Sequence, residues 1–99
     1  MRITKHSAER ADERMGLSLT PFIKLAEKAL KEGIKHSDSC GRFKKYIDGL
    51  YLSYRTANNI RIYGEFIYLF SNETLVTVLH LPNNFKNIVK SIKSKKTLP

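Results

Sequence analysis

Residues 59–81 read NIRIYGEFIYLFSNETLVTVLHL, and their apolar side chains recur with the two-residue period of a β-strand. The pattern is interrupted twice, at Gly64-Glu65 and at Ser71-Asn72-Glu73, by residues typical of turns. Connections this short force antiparallel neighbours, because a parallel pair needs a crossover of about a dozen residues or more. The stretch therefore predicts a three-stranded antiparallel sheet. Its middle strand, residues 66–70, is apolar on both faces and must be covered on both.

The third predicted strand, residues 74–81, continues this alternation. A strict period of two places Leu75 and Thr77 on one face and Val78 and His80 on the other. We therefore expect Thr77 and His80 to lie on opposite faces of the sheet.

Helical patterns precede the predicted sheet. The first covers residues 4–15, where Thr4 is the N-cap candidate and Gly16 follows the last turn. The second begins at Thr20-Pro21 and ends near Gly33. Its apolar stripe faces a row of lysines, which is typical of a helix that packs on one side and meets water on the other.

A third helical pattern covers residues 43–54, after a polar segment, residues 34–42, that we interpret as a loop. Asn84 is the N-cap candidate of a short last helix. This order of elements predicts the α+β class, with N-terminal helices packed on a three-stranded, or four-stranded, antiparallel sheet. Residues 1–94 are the single predicted domain, and residues 95–99 a flexible basic tail.

Charge is the strongest compositional signal in the chain. Its 99 residues include 18 Lys and Arg against 9 Asp and Glu, a formal net charge of +9. Such an excess favours a polyanionic partner, either nucleic acid or an acidic membrane surface. The alternative is a basic domain whose lysines are simply solvated.

Several classes of protein are excluded by the composition. The lone cysteine, Cys40, cannot form an internal disulfide or a cysteine-based zinc site, and the three histidines have no metal-ligand spacing. No Gly-rich phosphate loop and no apolar run of membrane-spanning length occurs. We therefore expect a cytoplasmic protein that needs no metal or other cofactor and does not enter a membrane.

The first helix carries the most reactive combination of side chains. His6, Arg10 and Arg14 recur every four residues and share one helix face. A histidine titrates near neutral pH and can move a proton, and an arginine fork can hold a phosphate. Together they are the minimum set for RNA cleavage without a metal. The alternative is an exposed face of mixed charge, since acidic residues lie between them.

The predicted sheet offers further candidates. Arg61 and Tyr63 share a face of the first strand, and Thr77 and His80 lie in the third. Arg61 either binds an anion or is an outward residue that protects the sheet edge. Lysines that could contact nucleic-acid phosphates are found at both ends of the chain: Lys5, Lys86, Lys90 and Lys93.

The sequence also resembles a known group. Residues 3–14, ITKHSAERADER, resemble the start of a family of small bacterial and phage domains, similar to the barnase-like, colicin-like and RelE-like ribonuclease toxins. The resemblance extends to residues 59–64, 67–70 and 75–78. It implies an active site formed by the histidine and arginines of the first helix with polar residues of the sheet. It also implies that an antitoxin-like protein could be a partner.

Two functions follow as hypotheses. The first is a metal-independent endoribonuclease, toxin-like or encoded by a phage, or an RNA-binding relative of one, in which His6 acts as general acid or base. Arg10, Arg14 and Arg61 would bind phosphate, and Tyr63, Thr77 or His80 would assist. The second is a non-catalytic nucleic-acid-binding or accessory protein of a phage or mobile element.

Overall fold

The computed structural model describes the backbone of residues 2–39 and 41–97, and their side chains apart from those of residues 6, 7, 10 and 95–97. The fold belongs to the α+β class, as the order of the elements predicts. The helices and strands in chain order are β1 (Arg2–Ile3), α1 (Lys5–Met15), α2 (Leu19–Glu32), α3 (Gly41–Ser53), β2 (Asn59–Tyr63), β3 (Phe66–Ser71), β4 (Thr74–His80) and α4 (Lys86–Thr97).

The sheet has four strands in the order β1-β4-β3-β2. The predicted antiparallel pairing of β2, β3 and β4 is confirmed, and both hairpins turn over two residues. The prediction of a purely antiparallel sheet is wrong, because β1 pairs with β4 in parallel. Two residues are too few to show a strand period. β1 is instead held by backbone hydrogen bonds to distant residues, from Arg2 to Glu73 (3.1 Å) and from Thr4 to Leu75 (3.3 Å).

A β-bulge interrupts the pairing of β3 with β4. Leu69 lies opposite Thr77, whereas the next residue of β3, Phe70, lies opposite Leu75. One extra residue of β4, Val76, is thereby inserted, and the alternation of faces shifts. Leu75 consequently shares a face with Val78, and the prediction that it shares one with Thr77 is wrong.

Strand β3 is buried on both faces. Ile67 and Leu69 pack against α3 and α4, on what we call the α3–α4 face of the sheet. Tyr68 and Phe70 pack against α1 and α2, on the α1–α2 face. The apolar stripes of the helices complete the two layers; the fully or nearly buried helix residues are Ala11, Phe22, Ala26, Ala29, Phe43, Ile47, Leu50, Val89 and Ile92.

The β2 edge of the sheet is covered by groups from outside it. At the β2 edge, Ile34 forms a bridge with Ile62 through two backbone hydrogen bonds of 2.8 and 3.0 Å. The Tyr51 hydroxyl accepts a hydrogen bond from the backbone N–H of Ile60 (3.0 Å). These contacts satisfy strand groups that would otherwise be open to pairing with another chain. The interpretation of residues 34–42 as a polar loop is therefore wrong at Ile34, which is buried.

Helix boundaries differ from the predicted ones by a few residues. Helix α2 begins at Leu19 with Ser18 at the N-cap, where the backbone carbonyl accepts from the N–H of Phe22 (3.2 Å). Before α4, a 3₁₀ turn spans Asn83–Phe85. Helix α4 then runs to Thr97, so the backbone of residues 95–97 continues the helix where a tail was expected. Residues 98 and 99, like Cys40, lie outside the described residues.

Two glycines give a matched test of this packing. A methyl group at Gly33 would collide with the carbonyl oxygen of Ala29 and lie 3.0 Å from Cβ of Arg61, whereas one at Gly49 would meet nothing within 4 Å. We expect Gly33→Ala to lower the free energy of unfolding by about 1–3 kcal/mol through overpacking. Gly49→Ala, inside α3, should raise it by up to about 1 kcal/mol.

Urea unfolding followed by circular dichroism measures both changes. A Gly33→Ala protein as stable as the wild type would contradict the close approach of α2 to β2.

Candidate nucleic-acid interface

Helix α1 packs against β4, and the chain is anchored to this strand at two points, at Thr4 just before the helix and at Arg14 near its end. The Thr4 hydroxyl donates to the carbonyl oxygen of Val76 (3.3 Å), and Nη1 of Arg14 donates to that of Val78 (2.5 Å). Both bonds satisfy carbonyl groups of β4, which β1 pairs only at its start. One guanidinium nitrogen of Arg14 therefore has a structural role.

The other two candidates of this helix are His6 and Arg10. Their backbone belongs to α1, and their side chains lie outside the described residues. Position 6 is in the first turn of α1, next to Thr4 and hence near the start of β4. The far end of α1, Met15, is nine residues away, or about 13 Å along the helix axis.

Three of the sheet candidates share the α1–α2 face. Tyr63 lies opposite Phe66 on β3, and Phe66 lies opposite His80 on β4. Tyr63, Phe66 and His80 therefore form a row across the sheet at the end where the β2–β3 hairpin turns. The His80 ring packs 5.0 Å from the Phe66 ring. Arg61 lies one row further in, opposite Tyr68. Its Nε donates to the side-chain oxygen of its neighbour Asn59 (2.8 Å).

Among the ribonuclease candidates whose side chains the structure describes, Thr77 lies apart from the others. Thr77 is buried, with 2% of its surface exposed, and lies on the α3–α4 face, opposite to that of His80. Tyr63 and His80 lie at the end of the sheet where β4 finishes, whereas position 6 lies near the start of β4. The structure thus brings Arg61, Tyr63 and His80 to one face and separates them from Thr77.

A different set of basic residues does converge. A cavity of about 670 Å³ lies between α2, α4 and the β2–β3 turn. It is lined by four lysines, which are Lys31 of α2 and Lys86, Lys90 and Lys93 of α4. We call this cavity the lysine groove. Its remaining lining residues are Glu32, Ile34, Ile62, Tyr63, Gly64, Glu65, Leu81 and Val89.

The rim of the lysine groove is mainly positive. Lys86 lies 3.4 Å from the Glu65 carboxylate. For Lys31, Lys90 and Lys93, no ion pair is found within the part of the chain that the structure describes. Three ammonium groups are therefore left to attract anions. The fourth predicted lysine, Lys5, is exposed at the start of α1 and is not among the groove residues.

Lys31 is the groove lysine that sequence reasoning missed. In the sequence it belongs to a lysine row on α2 that is typical of a solvated face. Only the tertiary structure brings the end of α2 beside α4, and no local signal in the sequence could have revealed this.

The residues that the structure describes contain no group of three or more His, Cys, Asp or Glu side chains able to hold a metal ion. Among the same residues, no helix has the length and apolarity required to cross a bilayer.

Comparison of the chain with protein-family models, curated proteins and solved structures finds no match. The resemblance to ribonuclease toxins therefore stays a prediction that rests on the residues quoted for it.

Tyr68 provides a pH-dependent test of the α1–α2 face. Burial raises the pKa of its phenol from 10.0 to about 12, and the nearby Tyr63 adds to the increase. The folded protein then holds this proton more tightly than the unfolded chain between these two pH values. Stability should fall as pH rises through that window, with a contribution from Tyr68 of about 2 kcal/mol in total.

Urea unfolding at successive pH values from about 9 to 12, on the wild type and on Tyr68→Phe, measures this contribution. The variant should lose less stability with rising pH. Parallel curves for the two proteins would contradict an elevated pKa at this position.

Proposed function

We propose that the protein binds nucleic acid through the lysine groove, without catalysis. The observation that carries the proposal is the convergence of lysines from two separate helices on one cavity. A row of lysines along a single helix face is explained by solvation, because it is the ordinary outer face of an amphipathic helix. A convergence of Lys31 with Lys90 and Lys93 needs a further reason, since like charges brought together repel one another.

The spacing of the α4 lysines suits a charged polymer. Lys86, Lys90 and Lys93 are four and three residues apart, which corresponds to about 6 and 4.5 Å along the helix axis. The sequence of α4 contains no acidic residue. A nucleic-acid strand that follows the helix would meet several ammonium groups in turn, and each phosphate contact would release a counterion. Such contacts carry affinity and little sequence preference.

RNA is the nucleic acid that the resemblance favours. The groove lysines supply the phosphate contacts of this proposal, because the ring of Tyr63 packs on the α1–α2 face of the sheet, away from the groove floor.

A metal-independent ribonuclease is the second candidate. What favours it is that α1, with positions 6 and 10, packs on the same side of the sheet as Arg61, Tyr63 and His80. In this proposal one side chain takes the proton of the RNA 2′-hydroxyl, whose oxygen attacks the adjacent phosphorus. A second side chain gives a proton to the leaving 5′-oxygen, and arginine neutralises the charge that develops on phosphorus. An antitoxin-like protein would be the partner.

Salt dependence tests the binding proposal. The affinity for a fluorescent single-stranded RNA should fall with salt, and Lys90→Gln/Lys93→Gln should flatten the log–log slope by about 1.4, since each phosphate contact on a single strand contributes about 0.7. The matched control is Lys44→Gln/Lys45→Gln, which removes the same charge from the exposed residues of α3. Fluorescence anisotropy over a series of salt concentrations measures both slopes. Equal slopes for the two double variants would place the contact elsewhere.

Cleavage is tested separately. If the second candidate is correct, the wild type cleaves RNA in the presence of EDTA, His6→Ala does not, and the control His36→Gln retains activity. His36 is paired with Asp48 (2.6 Å) and lies outside the proposed site. Gel analysis of the products decides the question. An inactive wild type that still binds RNA would exclude the ribonuclease and leave the binding proposal intact.

A further inference from the structure

The interior of the lysine groove differs in character from its rim. Its floor is formed by Ile34, Ile62, Leu81 and Val89, which belong to the core cluster on the α3–α4 face. Contacts to phosphates need cations at the surface and make no use of an apolar cavity below them. The cavity volume of about 670 Å³ lies within the range of roughly 300–1,000 Å³ that is typical of sites for small ligands.

We propose that the lysine groove binds a small, soluble amphipathic anion: an aliphatic chain lies on the apolar floor, and a carboxylate head is held by the lysines of the rim. This proposal concerns the groove alone and does not depend on nucleic-acid binding.

Charge at the rim selects an anionic head group. Four lysines and two glutamates line the groove, and one of the lysines, Lys86, is already close to Glu65. A carboxylate near Lys90 and Lys93 would gain charge-assisted hydrogen bonds. A cationic head group would meet repulsion, and a neutral one would leave the mutual repulsion of the ammonium groups in place.

The floor selects an aliphatic chain over a nucleobase. The four floor residues have branched aliphatic side chains, and Tyr63 is the aromatic residue of the lining. Nucleobases gain most of their binding energy by stacking on aromatic faces. A flexible hydrocarbon chain can instead contact the Ile, Leu and Val side chains, each at most 6% exposed, and remove its own methylene groups from water. The lysine stems at the rim can add to this apolar contact while their ammonium groups stay in water.

The experiment is an NMR titration of the full chain with hexanoate, octanoate and decanoate, each kept below its micellar concentration. If the chain lies on the floor, affinity rises with length by roughly fourfold per methylene group, as expected from the burial of CH₂ groups. The largest methyl shifts should occur at Ile34, Ile62, Leu81 and Val89. Octanol, which has the chain without the charge, should bind more weakly than octanoate.

The rim is tested with the paired lysine variants. Lys90→Gln/Lys93→Gln should weaken octanoate binding by roughly fivefold, which is the upper range for exposed ion pairs. Lys44→Gln/Lys45→Gln should leave it unchanged. All four lysines are exposed, so neither double variant removes a buried contact.

Several outcomes would overturn the proposal. One is an affinity that does not depend on chain length, and another is equal binding of octanol and octanoate. Floor shifts caused by uridine monophosphate and not by decanoate would assign the cavity to a nucleotide. Shifts that follow protein concentration alone, without a response to decanoate, would assign it to a second copy of the chain.

Discussion

The fold depends on burying strand β3 on both faces. Ile67, Tyr68, Leu69 and Phe70 are consecutive, and each has at most 1% of its surface exposed. Because successive side chains of a strand point in opposite directions, one helical layer cannot cover all four. Each such side chain gains about 1.5–3 kcal/mol from leaving water, so the loss of either layer would remove a large part of the total stability. The pairs α1–α2 and α3–α4 supply the two layers.

The β2 edge of the sheet is then covered by the segment that follows α2. There α2 ends at Glu32, and the next residue, Gly33, lets the chain pass close to Arg61 because it has no side chain. The next residue, Ile34, pairs with Ile62 and buries its side chain on the α3–α4 face. The chain thus crosses from one face to the other at this point. This crossing brings Lys31 to the cavity that the α4 lysines also line, so the groove is a consequence of how the β2 edge is closed.

Local patterns in the sequence predicted the parts of the fold that depend on neighbouring residues. The two hairpins, the position of α3 and the presence of a last helix followed from period, turn residues and a capping residue. The parallel strand β1, the bulge at Val76 and the bridge at Ile34 could not be predicted, because each depends on a partner far away in the chain. The same division applies to the site. The alternation of side chains in β4 correctly placed Thr77 and His80 on opposite faces of the sheet. Nothing in the local sequence indicated that Lys31 lies beside the lysines of α4.

The nucleic-acid proposal and the amphipathic-anion proposal both use Lys90 and Lys93, so the two ligands would compete for the groove. The central claim is that the lysine groove is where the protein meets a polyanion. The most direct measurement is the map of amide shifts in a ¹⁵N NMR spectrum when single-stranded RNA is added at low salt. The account predicts the largest changes at Lys31, in residues 62–65 and in residues 86–93. Changes centred on α1 and His80, or spread over α3, would contradict it.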